Sequence, residues 1–359
     1  MMKYLKIQNK LVNVWEHLED RIKAAALSFV VLILTLALFL GGRTILANDD
    51  VPIRLVVYAF STQELVLTQG IFPAFERKWE EETGRDLTIT SLFGPSGTLA
   101  GQINLGAPAD VAILSNERHV NLLKFGKQIE GETQGVVISS TPIIIATKRG
   151  NPAGITEFSD LAQPGLQLIH ADPHTSGVGE WAILAEYGSA LLDSGNQPTA
   201  ERQLKDIWSN VRLLGSSARS TLTLFEIGAG DALVTYEQDV RLALERGVPL
   251  EIVIPRCTIV AQFAAVIVDK NVTSVERPVA EAFIQFLLSD AGQNILHQYH
   301  QRSPDPEDNY FPKLIHPFTV EDIGGWPHAY EELILSVWQK EIEQRLDLES
   351  ISVIQTPGE

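Results

Sequence analysis

From residue 53 onward the apolar positions fall into short runs that alternate with longer segments of helical spacing. IRLVVYAF (Ile53–Phe60) is dense in β-branched and aromatic residues and reads as a strand. LVLTQGIFPAFERKWEEETG carries apolar residues at helical intervals and closes on Gly84. DLTITSLF forms the next strand, GPSGTLAGQINLG turns into a short helix, and ADVAILS is a third strand. The same grammar continues through STPIIIATKRGNP, LQLIHAD, VRLLG, DALVTYEQD, LEIVIP and AAVIVDK, with helices between most of them. Strands alternating with helices predict an α/β fold with mostly parallel sheets and helices on both faces. At this length two lobes are expected, 52–138 plus 262–300 and 139–261 plus 301–345. The chain then crosses between lobes near Ser139–Thr141 and near Cys257–Ala264. Two crossings imply a hinge.

The pattern changes at the N-terminus. Ala24 to Gly42 is an uncharged apolar run of 19 residues, preceded by Lys3, Lys6, Lys10, Arg21 and Lys23. Its basic flank places the rest of the chain outside the cytoplasm. The run is long enough to span a bilayer, while Ile45 and Ala47 offer a small-residue cleavage site, so residues 1–47 are a signal or a membrane anchor. No cysteine lies just beyond the run, which excludes a lipid anchor there.

Charge narrows the classes further. The 359 residues carry a formal charge of −17; the first 47 contribute +3, which leaves −20 for the body. A surface that acidic repels nucleic acid, and no nucleic-acid partner is expected. An anion site in such a body must be built from local dipoles. The one cysteine, Cys257, leaves no disulfide framework and no cysteine-based metal cluster, and its expected role is a buried small hydrophobe.

Three places where strands give way to helices share one chemistry. FGPSGTLAGQ presents Ser96 and Gly97, PHTSGVGEW presents Ser176, Gly177, Val178 and Gly179, and GSSARSTLTLF presents Ser217 to Thr221. A helix N-terminus offers free N–H donors and about half a positive charge, worth roughly 0.3–1 kcal/mol toward an anion, or ~2 when partly buried. One such end is an ordinary cap; three that converge could replace an anion's water shell. His297 and His300, three apart on a helix, lack a third metal ligand. No nucleophile elbow, phosphate loop or zinc-protease helix motif is present, so neither enzyme chemistry nor a cofactor is expected. GEWAILAEYGSALL, Trp181 and Trp326 read as packing.

In order along about 280 residues, the blocks FERKWEEETG, KRGNP, FSDLAQPGLQLI, TSG…EW, SARSTLTLFEIGAGDALVTYEQD, VIVDKNV and YFPKLIHPFTVEDIGGW resemble the sulfate/thiosulfate-type solute-binding proteins of ABC importers. The resemblance implies the two-lobed type II periplasmic-binding fold. It also implies a buried oxyanion, sulfate first, held by neutral donors and passed to a permease and its ATPase. The implied donors are the hydroxyl of Ser96, the hydroxyl of Ser176 with the amides of Gly177 and Val178, and the amides of Ala218 and Phe60. Gly97, Thr175 and Arg219 stand behind them, Arg219 in a salt link to an acidic neighbour.

The chain departs from the family's pattern in ways that bear on the ligand. Tyr236 stands where the family has a tryptophan whose indole N–H meets the ligand. Asp172, His174 and Glu180 replace an Asn, a Lys and an Arg, and Thr98 replaces a Lys. Thiosulfate, molybdate, tungstate or a phosphate-like anion therefore remain open, as does a membrane-tethered anion sensor. An aspartate at position 177 is expected to abolish binding while the fold persists.

Overall fold

The computed structural model describes residues 52–130, 135–305, 307–346 and 352–354. The predicted apolar run at residues 24–42 lies outside them. Among the described residues no helix is long and apolar enough to cross a membrane. One compact unit comprises residues 1–52 and 84–86, of which Pro52 and the turn at Gly84 are described. The other comprises residues 53–83 and 87–359 and holds every element named below.

The strands are β1 (Ile53–Phe60), β2 (Leu87–Gly94), β3 (Val111–Leu114), β4 (Val136–Lys148), β5 (Leu168–Ala171), β6 (Val211–Gly215), β7 (Ala232–Tyr236), β8 (Leu250–Val253), β9 (Cys257–Ile267), β10 (His316–Phe318) and β11 (Ser352–Ile354). Between them run α1 (Phe72–Thr83), α2 (Ser96–Asn104), α3 (Glu117–Phe125), α4 (Gly177–Ser194), α5 (Gln197–Trp208), α6 (Ala218–Glu226) and α7 (Glu237–Glu245). Two further helices, α8 (Glu276–Leu288) and α9 (Asp290–Gln298), come after β9. A short helix, α10 (Gly325–His328), continues as a π-helix over Ala329–Ile342.

Hydrogen-bonded neighbours run in the order β11-β6-β5-β7-β4-β9-β3-β1-β2, with β10 added to β9 and β8 to β4. The flanks are parallel: β1 pairs with β2 and β3, and β5 with β6 and β7. The centre is not, because β4 and β9 run antiparallel to each other and to β7 and β3. Val136–Pro142 of β4 pairs with β9, and Ile143–Lys148 pairs with β7 and β8. Pro142, which has no N–H to give a ladder, stands where β4 changes partners. One of the predicted crossings, Ser139–Thr141, therefore lies just before that change, and the other lies within β9.

The parallel strands aim their carboxyl ends at the helix starts that matter. Phe60 and Gly94 end adjacent strands in register, so the Ser61 turn and α2 begin side by side. Ala171 and Gly215 end β5 and β6 in register, which sets the loop before α4 beside the loop before α6. In open α/β sheets this edge is where ligands bind. Helix α4 is apolar almost all round and buried from Gly177 to Ala190, as a central helix must be. Trp181 on α4 packs edge-on against Trp326 at 4.9 Å.

Candidate functional site

Each candidate donor sits at the end of a strand or the first turn of a helix. Phe60 closes β1, Ser96 opens α2, Ser176 is the N-cap of α4, and Gly177 and Val178 are its first residues. Ala218 opens α6 and Tyr236 closes β7. All are buried, and the six side chains among them are at most 3% exposed. The first amides of a helix have no partner inside it, so those of Gly177, Val178 and Ala218 project from their helix ends. The Ser176 hydroxyl makes no capping bond, whereas Ser217 caps α6 by accepting from Ser220 N at 3.0 Å.

A chain of contacts brings these ends together. Gly97 N donates to Thr175 O (2.9 Å), joining α2 to the start of α4, and Thr175 Oγ1 donates to Ser216 O (2.8 Å), joining it to α6. The Arg219 guanidinium donates to Ser61 O (3.1 Å) and pairs with Glu64 (3.2 Å), the acidic neighbour expected of it. Tyr236 joins Phe60 through their rings, 6.1 Å apart. All ten residues that the sequence singles out thus fall in one connected cluster.

At its centre is Ser115, which the sequence reading missed. Its backbone N donates to Ser96 Oγ (3.0 Å) and its carbonyl accepts from Trp181 Nε1 (2.8 Å). A Cβ at Gly177 would lie 1.7 Å from Ser115 Oγ and 2.9 Å from its Cβ, so any larger residue forces Ser115 to move. An aspartate at 177 would therefore have to push Ser115 aside as well as add a charge. Ser115 comes directly after β3, and Asn116 caps α3 by accepting from His119 N at 2.9 Å. Ser-Asn after an apolar strand was a fourth instance of the pattern used to find the other three ends.

Two buried hydroxyls here lack hydrogen bonds. Tyr236 Oη and Ser115 Oγ are neighbours that interact with each other only weakly, without a bond of good geometry. Burial and then Asp239 push the Tyr236 phenol well above its ordinary value, which keeps its proton in place for donation. A buried hydroxyl without a partner costs roughly 1–3 kcal/mol, so the pair marks a place for an acceptor.

Most charged residues around the cluster are paired, but the Oδ2 of Asp239, buried and close enough to act on the Tyr236 phenol, has no hydrogen-bond partner. Glu180, fully buried, takes Arg118 on one oxygen and Asn116 Nδ2 (2.8 Å) on the other. Burial opposes its charge, but His119 and Arg118 outweigh burial and hold its carboxyl below the ordinary range. Asp172 turns to its own loop, accepting from His174 N (2.9 Å), and His174 pairs with Glu343 (2.7 Å). His300 meets Glu245 at 2.7 Å while His297 lies beside Asp308 at 2.9 Å, so the two take separate partners. Cys257 is buried at the start of β9. A surface cavity of about 500 Å³ lined by Arg54, Tyr58, Thr90, Asp110 and Glu276 has none of the candidate residues in its walls.

Comparison with known proteins agrees with this architecture. The profile of the bacterial extracellular solute-binding proteins matches residues 55–302. The sulfate-binding protein of Escherichia coli K12 is 33% identical over 314 residues, covering 83% of this chain and 94% of that protein. The thiosulfate-binding protein of the same organism is 31% identical over 281 residues, covering 73% and 83%. Among solved structures, the sulfate-binding protein SubI from Mycobacterium tuberculosis H37Rv superposes with a TM-score of 0.71 at 24% identity, over 77% of this chain and 98% of that one. That likeness extends to periplasmic binding proteins of other ligands, including a periplasmic thiamin-binding protein at a TM-score of 0.60. With strand ends and helix N-termini gathered on buried hydroxyls and the profile covering most of its body, the chain belongs to the bacterial extracellular solute-binding proteins.

Proposed function

We propose that this chain captures a fully ionised inorganic oxyanion, sulfate first and thiosulfate second, and delivers it to an ABC-type permease driven by an ATPase. The observation that carries the reading is the gathering of hydroxyl and amide donors at converging strand ends and helix starts. In this reading the hydroxyls of Ser96, Ser176, Ser115 and Tyr236 and the amides of Phe60, Gly177, Val178 and Ala218 would donate to the anion; that Ser115 Oγ and Tyr236 Oη are buried without a bond of good geometry and that Glu180 is already paired support it. Sulfate and thiosulfate only accept hydrogen bonds. Phosphate keeps a proton that needs an acceptor of its own, so a cluster rich in amide and hydroxyl donors favours the fully ionised anions. Hydrogen bonds to a charged group contribute about 1.5–3 kcal/mol each, so a handful suffices for tight binding. Names of the relatives support the same order of ligands.

In this reading no bond is made or broken, and the chain is a carrier rather than an enzyme. Residues 52–138 with 262–300 and residues 139–261 with 301–345 act as two lobes. They close on the anion about β4 and β9, the strands shared by both halves of the sheet. Residues 1–47 either direct export or hold the body at the outer face of the membrane. The test is to denature the purified protein and analyse the released anions by ion chromatography. Close to one sulfate or thiosulfate per chain is expected, and phosphate or molybdate in that place would overturn the proposal.

A further inference from the structure

We propose that His119, held in one tautomer by Arg118, sets the Ser96 hydroxyl as an obligatory donor and so makes this site reject protonated anions. The inference rests on reading Ser96 as a ligand contact, and it concerns what compels Ser96 to donate. A hydroxyl oxygen has two lone pairs and one proton. Ser96 Oγ accepts from Ser115 N at 3.0 Å and lies 2.9 Å from His119 Nδ1. If Nδ1 carries the imidazole proton, both lone pairs are occupied and the hydroxyl proton has only the ligand to turn to. If Nδ1 is bare, Ser96 donates its proton to the ring and is lost to the anion.

Arg118 decides between the two. Its Nη2 lies 3.1 Å from His119 Nε2, while Glu180 Oε2 lies farther off at 3.6 Å from the same nitrogen; a guanidinium can only donate, so the shorter contact makes Nε2 the acceptor and puts the proton on Nδ1. The arginine is itself fixed. Glu180, wholly buried, binds the same Nη2, and the guanidinium lies 4.2 Å over the Tyr330 ring. Asn116 closes the loop by donating to Glu180 (2.8 Å) and accepting from His119 N (2.9 Å). Gly97 leaves the imidazole its space, since a Cβ there would meet Nε2 at 3.2 Å. His119 is therefore a positioning residue: it touches Ser96 and no ligand.

Two measurements on the full-length protein in mild detergent test this. In protein labelled with nitrogen-15 at histidine, the His119 ring should show a protonated Nδ1 and a bare Nε2; the opposite tautomer overturns the proposal. Sulfate and phosphate are then titrated into wild type, His119→Ala and His119→Asn. Asparagine places an amide N–H near the Nδ1 position, whereas alanine leaves Ser96 free to accept. His119→Ala should lose tenfold or more in sulfate affinity, on the order of one charge-assisted hydrogen bond. It should also shift the sulfate-to-phosphate ratio toward phosphate, and His119→Asn should restore both. Equal losses for both variants, or an unmoved ratio, would mean that His119 only fills space. If wild type takes neither anion, the oxyanion reading of the site falls instead, and the ring tautomer alone then decides how Ser96 is set.

Discussion

Tyr236 carries the sharpest substitution in this chain relative to the pattern it resembles. A phenol replaces an indole, and it is wholly buried with its ring against Phe60 and Phe263 and its hydroxyl unpartnered. Both groups donate, so the exchange preserves what an ionised acceptor needs. Tyr236→Phe should weaken sulfate binding by about 1.5–3 kcal/mol, roughly ten- to a hundred-and-fifty-fold, measured by titration calorimetry. The protein should stay folded, because the ring and its packing against Phe60 and Phe263 remain. An unchanged affinity would remove Tyr236 from the site. Gly177 offers no such clean test, since any side chain there meets Ser115 before it meets a ligand.

Helix α4 illustrates what an element adds to its residues. Its N-terminus provides donors, and its body is a buried rod in which Glu180 and Glu186 both need partners. Glu186 accepts from Trp208 Nε1 (2.9 Å) and sits 2.6 Å from His170 Nε2, far along the helix from the donor end. Glu186→Ala would strand both partners in the core. It should destabilise the protein by about 3 kcal/mol in denaturant unfolding and leave the sulfate affinity of the folded fraction unchanged. A loss of affinity without a loss of stability would contradict that division of labour. The helix itself was legible in the sequence, as were its start and most strands, because those depend on local spacing and on residues that favour helix starts. The partners of Glu180 and Glu186 were not, because His119, Arg118, His170 and Trp208 are brought to them by other elements. Apolar spacing also drew one helix from Leu65 to Gly84. The chain instead forms a 3-10 turn at Ser61–Gln63, a single α-turn and a π-segment at Leu67–Ile71 before α1. Such spacing does not distinguish these neighbouring helix types.

At the scale of the whole molecule, the antiparallel centre of the sheet was hidden from sequence reading. Ile143, Ile144 and Ile145 of β4 are all buried, and a strand covered on both faces shows a continuous apolar run that carries no direction. A body of charge −20 must also place its buried carboxylates with care. Asp239, at the first turn of α7, is buried against Thr62 and Gln238; burial raises its carboxyl to about 7, with Arg219 pulling the other way. Its folded-state value lies above the ordinary 3.8, so between about pH 4 and 7 the native state holds a proton that the unfolded chain releases. Stability should therefore fall as pH rises through that window, by on the order of 4 kcal/mol, and level off above it. Asp239→Asn should lack the fall. Parallel stability–pH curves for the two proteins would contradict the assignment.

A site that discriminates by hydrogen-bond direction is tested most directly by calorimetry on two anions of opposite demand. The full-length protein, unfolded and refolded to strip bound anion, is titrated at neutral pH with sulfate and, separately, with phosphate. Sulfate should bind at least about a hundredfold tighter, the difference made by one unmet donor facing donors in the pocket. Phosphate binding as tightly as sulfate would show that an acceptor faces the ligand and that the donor-only description of Ser96, Ser115, Ser176 and Tyr236 is wrong.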